Sequence, residues 1–213
     1  MKVLITAGPT VEAIDPVRYL TNRSSGRMGY ALASAAAKRG HSVLLISGPT
    51  DLEIPEGVDF LPVESASEMA RAVKAQIARQ DLAIFAAAVS DYTPVTVADQ
   101  KLKKTGGEMT LTLKPTVDIL GSAREEFNFD GVLVGFAAET ENLIENARDK
   151  CHRKGCDLII ANDVSRPDIG FDASENEVTL VYPDREESLP RDSKEHLAFH
   201  LIEIIEILAS EDE

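Results

Sequence analysis

Short runs of apolar, often β-branched residues alternate along the chain with longer segments of helical periodicity. The runs predict strands at residues 3–6, 41–47, 60–63, 82–88, 109–113, 132–136, 158–161 and 177–182. The longer segments predict helices at residues 25–39, 67–80, 118–127, 141–154 and 193–209. This alternation is typical of an α/β fold: a Rossmann-like, mostly parallel sheet with helices on both faces and an antiparallel addition late in the chain.

The chain has 213 residues, enough for one α/β domain with a substantial core, so we expect a single domain over residues 1–213. No apolar stretch approaches the roughly 18 residues that a membrane span needs. The first residues are typical of a strand rather than of a signal peptide. Cys151 and Cys156 are the only cysteines, and we expect both to be reduced thiols. The sequence therefore predicts a cytoplasmic protein that does not bind a membrane.

The net charge of the chain is −14, from 36 acidic and 22 basic residues. A non-specific nucleic-acid binder needs a basic surface, so this charge argues against a nucleic-acid partner. A site for an anionic substrate has to reverse the sign of the charge locally. Clusters of basic side chains and glycine-rich turns are therefore the places to search for such a site.

The turn after the first strand lacks the motifs of the common nucleotide-binding folds. Gly8 lies in this turn, but no G-x-G-x-x-G follows it, and the chain contains no P-loop motif. The first predicted helix begins near Ser25, so a long segment is inserted where a dinucleotide-binding fold holds pyrophosphate. An oxidoreductase that uses a nicotinamide cofactor is therefore only a minor alternative.

The inserted segment ends in two hydroxyl residues and a glycine at the predicted helix N-terminus: Ser24, Ser25 and Gly26. Either serine is expected to cap the helix. Free backbone N–H groups, the helix dipole and the hydroxyl groups together favour a bound anion. Arg18 and Asn22 lie in the same segment, and this combination favours a functional anion site over a simple capping loop.

Small residues followed by Asp91 end the apolar run at 82–88. Ligands bind at the carboxyl ends of strands in open α/β sheets, and small side chains allow a flat ligand to approach the backbone. A polar segment at 92–107 predicts a long loop and carries three lysines, Lys101, Lys103 and Lys104. These lysines are expected to fold over phosphate groups, although a lysine run on its own is more often a solvated surface.

Two later strands end in the same way. Phe136 lies in a run of small residues at 135–140, where its ring is suited to flank a base. Asn162 and Asp163 follow the strand predicted at 158–161, and Phe171 and Asn176 come next. All of these residues are expected near one edge of the sheet.

His196 and His200 are four residues apart on the last predicted helix, a spacing that suits a metal ion. They flank an apolar stripe, and no third ligand is evident in the sequence. We therefore predict no metal site within the protein.

Four of these segments occur together in the order and spacing of a known family. They are 15–26 with Asn22, the Ala-Ala-Val-Ser-Asp run at 87–91 with the lysines at 101–104, Gly-Phe-Ala-Ala-Glu-Thr at 135–140, and Ala-Asn-Asp-Val at 161–164. The chain resembles the phosphopantothenate–cysteine ligases from residue 3 to about residue 208. In many bacteria this synthetase domain is fused behind a flavin-dependent phosphopantothenoylcysteine decarboxylase.

The resemblance implies a reaction in two steps. The carboxylate of 4′-phosphopantothenate attacks the α-phosphorus of CTP, which gives an acyl-cytidylate and pyrophosphate. The amine of L-cysteine then attacks the activated acyl group and releases CMP. The resemblance assigns Asn22 to the acyl intermediate, where its amide is suited to donate to the acyl oxygens, Arg18 to a supporting role and Lys101 to the first step. Such chemistry consists mostly of positioning and charge neutralisation.

The resemblance also implies a set of nucleotide contacts: Phe85, Ala86, Ala87, Asp91, Lys101, Thr116, Val117, Asp118, Ile119, Phe136, Lys150 and Lys154. Gly8, Ser24, Ser25 and Gly26 are the predicted phosphate and substrate contacts. Lys150 and Lys154 are four apart on one helical face and are expected to point the same way. Magnesium is expected to arrive with CTP rather than in a site made only by the protein.

The resemblance leaves three points open. The fused bacterial enzymes usually have Asn-Pro-Asp-Ile where this chain has Thr-Val-Asp-Ile at 116–119, and some family members use ATP, so ATP is an alternative to CTP. A nucleotide-binding module without turnover is a second alternative. Similar proteins are dimers in which the neighbouring chain completes the site, and the predicted strand at 177–182 is a candidate interface.

Overall fold

The computed structural model describes residues 1–104, 106–163 and 175–211. Its strands in chain order are β1 (Lys2–Ala7), β2 (Val11–Ala13), β3 (Tyr19–Thr21), β4 (Ser42–Ser47), β5 (Val58–Pro62), β6 (Leu82–Phe85), β7 (Tyr92–Pro94), β8 (Leu113–Pro115), β9 (Val132–Glu139), β10 (Leu158–Asp163), β11 (Glu175–Val181) and β12 (Glu186–Ser193). Its α-helices are α1 (Arg27–Lys38), α2 (Ala66–Gln76), α3 (Ile119–Ser122), α4 (Leu143–Lys154) and α5 (Lys194–Glu211).

The main sheet has the strand order β12-β11-β10-β9-β6-β1-β4-β5. The six strands from β10 to β5 are parallel, and β11 and β12 are antiparallel additions next to β10. This arrangement confirms the predicted Rossmann-like, mostly parallel sheet with an antiparallel addition.

The outermost strand, β12, is absent from the sequence prediction. Four of its eight residues are charged, and Leu189 is its buried hydrophobic residue. Such charges are typical of an edge strand, because they discourage pairing with another chain. Since β12 covers β11, the strand predicted at 177–182 is not the edge of the sheet, and its part in a dimer interface stays a prediction.

Two hydrophobic cores lie on the two faces of the sheet. One contains Val3 and Ile5 of β1 with the apolar stripes of α1 and α5. The other contains Leu4 of β1 with residues of α2, α3 and α4. Neighbouring β1 residues point to opposite cores because side chains alternate along a strand. The predicted placement of helices on both faces is therefore confirmed.

Two small hairpins lie outside the main sheet. β2 pairs with β3, and β7 pairs with β8. The predicted strand at 109–113 was wrong: Met109 is 56% exposed, and pairing begins only at Leu113. The loop predicted at 92–107 begins instead with β7. Pairs of three-residue strands are too short to give a periodic signal in the sequence.

The helix predicted at 118–127 was too long, because the α-helix ends at Ser122. Asp118 caps α3, and its carboxylate accepts a hydrogen bond from the Gly121 N–H at 3.0 Å. After Ser122 the α-helical hydrogen-bond pattern is broken, because the Ala123 N–H donates to the carbonyl of Leu120, three residues earlier, at 3.2 Å. Asn128 then has a φ of 53°, which is incompatible with a continued helix.

Both cysteines are free and buried, Cys151 on α4 and Cys156 just after it. The Cys151 thiol donates to the carbonyl of Cys156 at 3.1 Å. Burial raises the pKa of Cys151 to about 11 and that of Cys156 to about 12, so both thiols stay protonated at neutral pH. No described helix is long and apolar enough to cross a membrane.

An ion cluster joins α5 to the end of α1. Arg39 donates to both carboxylate oxygens of Glu206, at 2.8 and 2.6 Å, and to Glu203 at 2.9 Å. His41 contacts the same Glu206 carboxylate at 2.6 Å. Hydrogen bonds from Arg39 are the main cause that lowers the pKa of Glu206 from its usual value. This cluster connects an early helix of the chain to its last one.

We expect Glu206→Gln to lower the midpoint of thermal unfolding by roughly 2–4 °C at neutral pH, because it removes the carboxylate charge that both Arg39 and His41 contact. The folded-state pKa of Glu206 is lowered, so its contribution to stability is present above the unfolded pKa and is lost as the pH falls through the folded one. The difference between variant and wild type should therefore shrink on acidification. Glu53→Gln, at an exposed position of the loop between β4 and β5, is the control; equal midpoints for both variants would contradict the prediction.

Candidate functional site

A cleft of about 910 Å³ lies at the carboxyl ends of the parallel strands β1, β6, β9 and β10. The chain runs from β1 outward to β4 and β5 and then returns to the other side of β1 at β6. Loops after β1 and β6 therefore leave the sheet in opposite directions, and this divergence opens a crevice. Such a topological switch point is the usual ligand-binding place in open α/β sheets.

The strand ends at the base of the cleft are held by backbone hydrogen bonds. β6 ends at Phe85, three residues earlier than predicted, but an isolated parallel bridge joins Ala88 to Pro9. The Ala86 N–H donates to the Thr6 carbonyl at 3.2 Å, and the Ala88 N–H donates to the Gly8 carbonyl at 2.9 Å. The small residues at 86–88 thus form a fixed floor with little side-chain bulk.

The N-terminus of α1 forms one wall. The helix begins at Arg27 and not at Ser25, and Gly26 takes the cap position in a left-handed conformation with a φ of 77°. The predicted serine cap was therefore wrong: Ser24 accepts a hydrogen bond from the Gly26 N–H at 3.3 Å, but no side chain of the described residues caps the helix. The N–H groups of the first helical turn are left available for an anion.

Glycine is required where α1 meets β1. A Cβ atom on Gly29 would lie 2.5 Å from the Cβ of Ala7, and one on Gly26 would lie 3.2 Å from the Cα of Gly8. These distances leave no room for a side chain. Gly8 itself is not a lining residue of the cleft; its φ is 71°, and a Cβ atom there would lie 2.8 Å from the carbonyl oxygen of Gly48, just after β4.

Asn22 lines the cleft with its side chain bound to the end of β6. Its amide nitrogen donates to the carbonyls of Ala88 at 3.0 Å and Val89 at 3.2 Å. The donor that was expected to face the acyl group is therefore occupied here. The reverse orientation would put the amide oxygen against two carbonyl oxygens, so the contacts select the orientation in which Oδ1 is the free end of the amide.

Lysines of α4 form the opposite wall. Lys150 is largely buried and donates to the Phe136 carbonyl at 2.7 Å, and burial lowers its pKa from the usual value. Lys154 makes an ion pair with Asp118. Both lysines line the cleft, as their spacing predicts, and both already have a protein partner.

Thr116 connects the two segments that carry Asp91 and Asp118, two acidic residues of the cleft. Its hydroxyl donates to the Ser90 carbonyl at 2.6 Å, and its backbone N–H donates to the Asp91 carbonyl at 2.9 Å. These bonds hold the loop after β6 against the loop before α3. Asp91 and Asp118 are therefore kept at the rim of one cleft.

The charge of the cleft is opposite to that of the chain. Six cationic side chains line it, against three anionic ones: Arg23, Arg27, Lys150, Arg153, Lys154 and Lys194 against Asp91, Asp118 and Glu139. This local excess of positive charge lies in a chain whose net charge is −14. The cleft is thus suited to a polyanionic ligand.

Most of the predicted site residues come together in this cleft: Asn22, Ser24, Ser25, Gly26, Phe85, Ala86, Ala87, Asp91, Thr116, Val117, Asp118, Ile119, Phe136, Lys150 and Lys154. Gly8, Arg18 and Lys101 are not among its lining residues. Lys101 is exposed on the loop between the two hairpin strands β7 and β8. Phe171 lies outside the described residues.

The sequence predicts no role for Lys194, which lines the cleft at the start of α5 and is only 4% exposed. Asn162 and Asn176, which were expected near this edge, line the cleft beside it. One signal was available for Lys194, since a lysine in the first turn of a helix opposes the helix dipole. A residue at such an unfavourable position often has a function that compensates for the cost.

Comparisons with known proteins agree with this geometry. The model of the family "DNA/pantothenate metabolism flavoprotein C-terminal domain" matches residues 1–208. The coenzyme A biosynthesis bifunctional protein CoaBC of Vibrio vulnificus is 49% identical over 208 residues, which are 97% of this chain and 52% of the relative. The CoaBC protein of Bacillus subtilis is 49% identical over 211 residues, which are 98% of this chain and 52% of the relative. The chain thus spans about half the length of the curated relatives that it matches.

A solved structure has the same fold. The crystal structure of the C-terminal domain of a CoaBC protein superposes with a TM-score of 0.84 and 40% sequence identity, and the match covers 100% of this chain and 96% of that one. The family model and these relatives cover the strands and helices that build the cleft. This chain therefore belongs to the DNA/pantothenate metabolism flavoprotein C-terminal domain family.

Proposed function

We propose that this chain joins 4′-phosphopantothenate to L-cysteine with CTP as the energy source. The observation that carries this proposal is the cleft itself: an uncapped helix N-terminus, a lysine wall and Asn22 line one cavity at the switch point of the sheet. The relatives are named for coenzyme A biosynthesis, and most of the site residues implied by the ligase resemblance line this cavity. The reaction is an activation of a carboxylate followed by transfer to an amine.

The nucleotide phosphates bind between the two basic walls in this proposal. The N–H groups at the start of α1 take one phosphate, and Lys150 and Lys154 take others after they exchange their present partners, the Phe136 carbonyl and Asp118. Magnesium enters as the magnesium complex of CTP and is part of the substrate. The cytosine base lies against Phe136 and the segment 116–119.

In the first step, an oxygen of the phosphopantothenate carboxylate forms a bond to the α-phosphorus, and the bond to pyrophosphate breaks. Lys101, on the loop at 101–104, neutralises charge on the departing pyrophosphate. In the second step, the cysteine nitrogen bonds to the acyl carbon, the bond to CMP breaks, and the nitrogen loses a proton. No side chain needs to act as a nucleophile in either step.

Asn22 serves the second step through its amide oxygen. Its nitrogen is bound to the carbonyls of Ala88 and Val89, so Oδ1 is the atom that accepts a hydrogen bond from the incoming amine. This acceptor orients the nitrogen lone pair toward the acyl carbon.

The same reaction with ATP and nucleotide binding without turnover are the alternatives. A difference in base preference would arise from the segment 116–119. The proposed place of action is the cytoplasm, where cysteine thiols stay reduced.

The first prediction from the proposed function concerns pyrophosphate release with 4′-phosphopantothenate and magnesium, measured with CTP or ATP and then with added cysteine. We expect pyrophosphate with CTP, and CMP only after cysteine is added, because the acyl-cytidylate waits for the amine. Reactions without 4′-phosphopantothenate are the control. Release with ATP alone would replace CTP in the proposal, and no release with either nucleotide would leave a nucleotide-binding module.

The second prediction concerns Asn22→Ala. We expect pyrophosphate release to stay within about threefold of wild type, while the conversion of the acyl-cytidylate by cysteine falls about 100-fold, the usual cost of losing one positioned polar group in an active site. Rapid-quench analysis separates the two steps. Gln80→Ala is the matched control, since this amide donates to the Gln76 carbonyl at 3.2 Å, away from the cleft. An equal loss in both steps would contradict a role in the second step alone.

We also propose that the working form is a homodimer. The two hairpins expose large apolar side chains, among them Val17 and Tyr19 on one and Tyr92, Val95 and Val97 on the other. β2 packs against β7, so these residues lie on one region of the surface. An apolar region of this kind usually marks a protein contact. A second copy bound there would lie beside the lysine loop at 101–104.

The third prediction tests this surface by light scattering after gel filtration. We expect the mass of two chains for wild type and the mass of one chain for the double variant Tyr19→Ser, Val97→Ser, because it removes apolar area from both hairpins. Ile207→Ser is the control, since Ile207 is 59% exposed on α5. A wild-type monomer, or a double variant that is still dimeric, would refute this interface.

A further inference from the structure

Asp15 is a buried carboxylate, only 3% exposed, just after β2. One of its oxygens accepts hydrogen bonds from the N–H groups of Val17 and Arg18, each at 2.9 Å. The other accepts two hydrogen bonds from the Arg18 guanidinium, at 3.0 and 2.5 Å. A planar guanidinium that meets one carboxylate with two donors forms a strong, oriented pair.

This pair also binds the backbone of one distant residue, Leu102. The Leu102 N–H donates to the Asp15 carboxylate at 3.0 Å, and the Leu102 carbonyl accepts from the Arg18 guanidinium at 2.8 Å. The same segment is attached once more upstream, where the Ala98 N–H donates to the Ile14 carbonyl at 3.0 Å. Both peptide groups of Leu102 are thus held by the hairpin that carries Asp15 and Arg18.

Leu102 lies between Lys101 and Lys103 on a loop whose described side chains at 101–104 are all exposed. A loop with so few packed side chains loses its position easily unless its backbone is anchored. The hydrogen bonds to Leu102 supply such an anchor, and they fix the point from which Lys101 extends. The Arg18 side chain does not line the cleft, so its contacts connect it to the loop and not to a ligand there.

The anchor is stable over a wide pH range. The hydrogen bonds from Arg18 hold the pKa of Asp15 well below its usual range, with the Leu102, Val17 and Arg18 N–H groups as further causes. The carboxylate therefore remains charged at neutral and mildly acidic pH, and the pair with Arg18 stays intact.

We propose that Asp15 and Arg18 are positioning residues that hold the loop at 101–104 through the backbone of Leu102 and so place Lys101 for the first step of the reaction. Arg18 acts through the loop and does not touch the substrate. The effect on the reaction rests on the proposed ligase function, whereas the anchoring of the loop does not.

Limited digestion with trypsin tests the anchor without any substrate, because trypsin cleaves after Lys101, Lys103 and Lys104. In Asp15→Asn, the amide oxygen keeps the hydrogen bonds from the N–H groups of Val17 and Arg18. The amide nitrogen then faces the Arg18 guanidinium and the Leu102 N–H, which are also donors, so the anchor is lost. We expect cleavage within 101–104 to become roughly tenfold faster or more, because it follows the population of the open loop.

Asp81→Asn is the matched control. The Asp81 carboxylate accepts a hydrogen bond from the Lys2 N–H at 2.6 Å, at the opposite end of β1 from the cleft. We expect its cleavage rate in the loop to equal that of wild type, and thermal unfolding checks that each variant is folded. A rate for Asp15→Asn within about twofold of the control would overturn the anchor.

A double-mutant cycle on pyrophosphate release tests the effect on catalysis. We expect Asp15→Asn to slow the first step by roughly tenfold in the wild-type background and not at all in a Lys101→Ala background, because both changes remove the same contribution. Independent, additive losses would overturn the role in positioning Lys101. If wild type releases no pyrophosphate, the ligase proposal fails, and the digestion result alone decides whether the anchor exists.

Discussion

α1 begins in direct contact with the carboxyl end of β1, and the rest of the site depends on this contact. The helix approaches so closely that neither Gly26 nor Gly29 has space for a side chain. The helix N-terminus therefore points its N–H groups into the crevice that the switch between β1 and β6 opens. Asn22, in the segment that leads to the helix, is bound at the same time to the end of β6. One packing constraint thus aligns the strand ends, the anion-binding N–H groups and the amide in a single cavity.

The basic cleft lies in a chain of negative net charge. Two lysines of the cleft have partners within the protein: Lys150 is bound to a backbone carbonyl and Lys154 to Asp118. These partners keep buried cations satisfied, which is necessary because an unpaired buried charge is costly. Under the proposed function, binding of the nucleotide polyphosphate is an exchange of partners, which avoids the cost of bringing unpaired cations together.

The two hairpins inserted into the α/β fold give it features that a simple nucleotide-binding sheet lacks. The first hairpin carries Asn22 on its way to α1 and holds the lysine loop through Asp15 and Arg18. The second hairpin frames that loop, and Thr116 at its end attaches the loop before α3 to the end of β6. Arg18 and Thr116, both among the predicted site residues, thus make hydrogen bonds within the protein.

The sequence by itself determined the α/β class, the parallel core strands and most of the residues in the cleft. Apolar runs such as 82–85 specify buried strands because they have to be covered on both faces, and small or polar residues at strand ends then meet at one edge by the geometry of parallel strands. The tertiary structure decided the hairpins, the charged edge strand β12, the early end of α3 and the glycine cap of α1. It also decided that Lys194 reaches the cleft and that Arg18 does not. These features depend on contacts between residues far apart in the chain, such as Asp15 with Leu102, and no local pattern of hydrophobic and polar positions encodes such contacts.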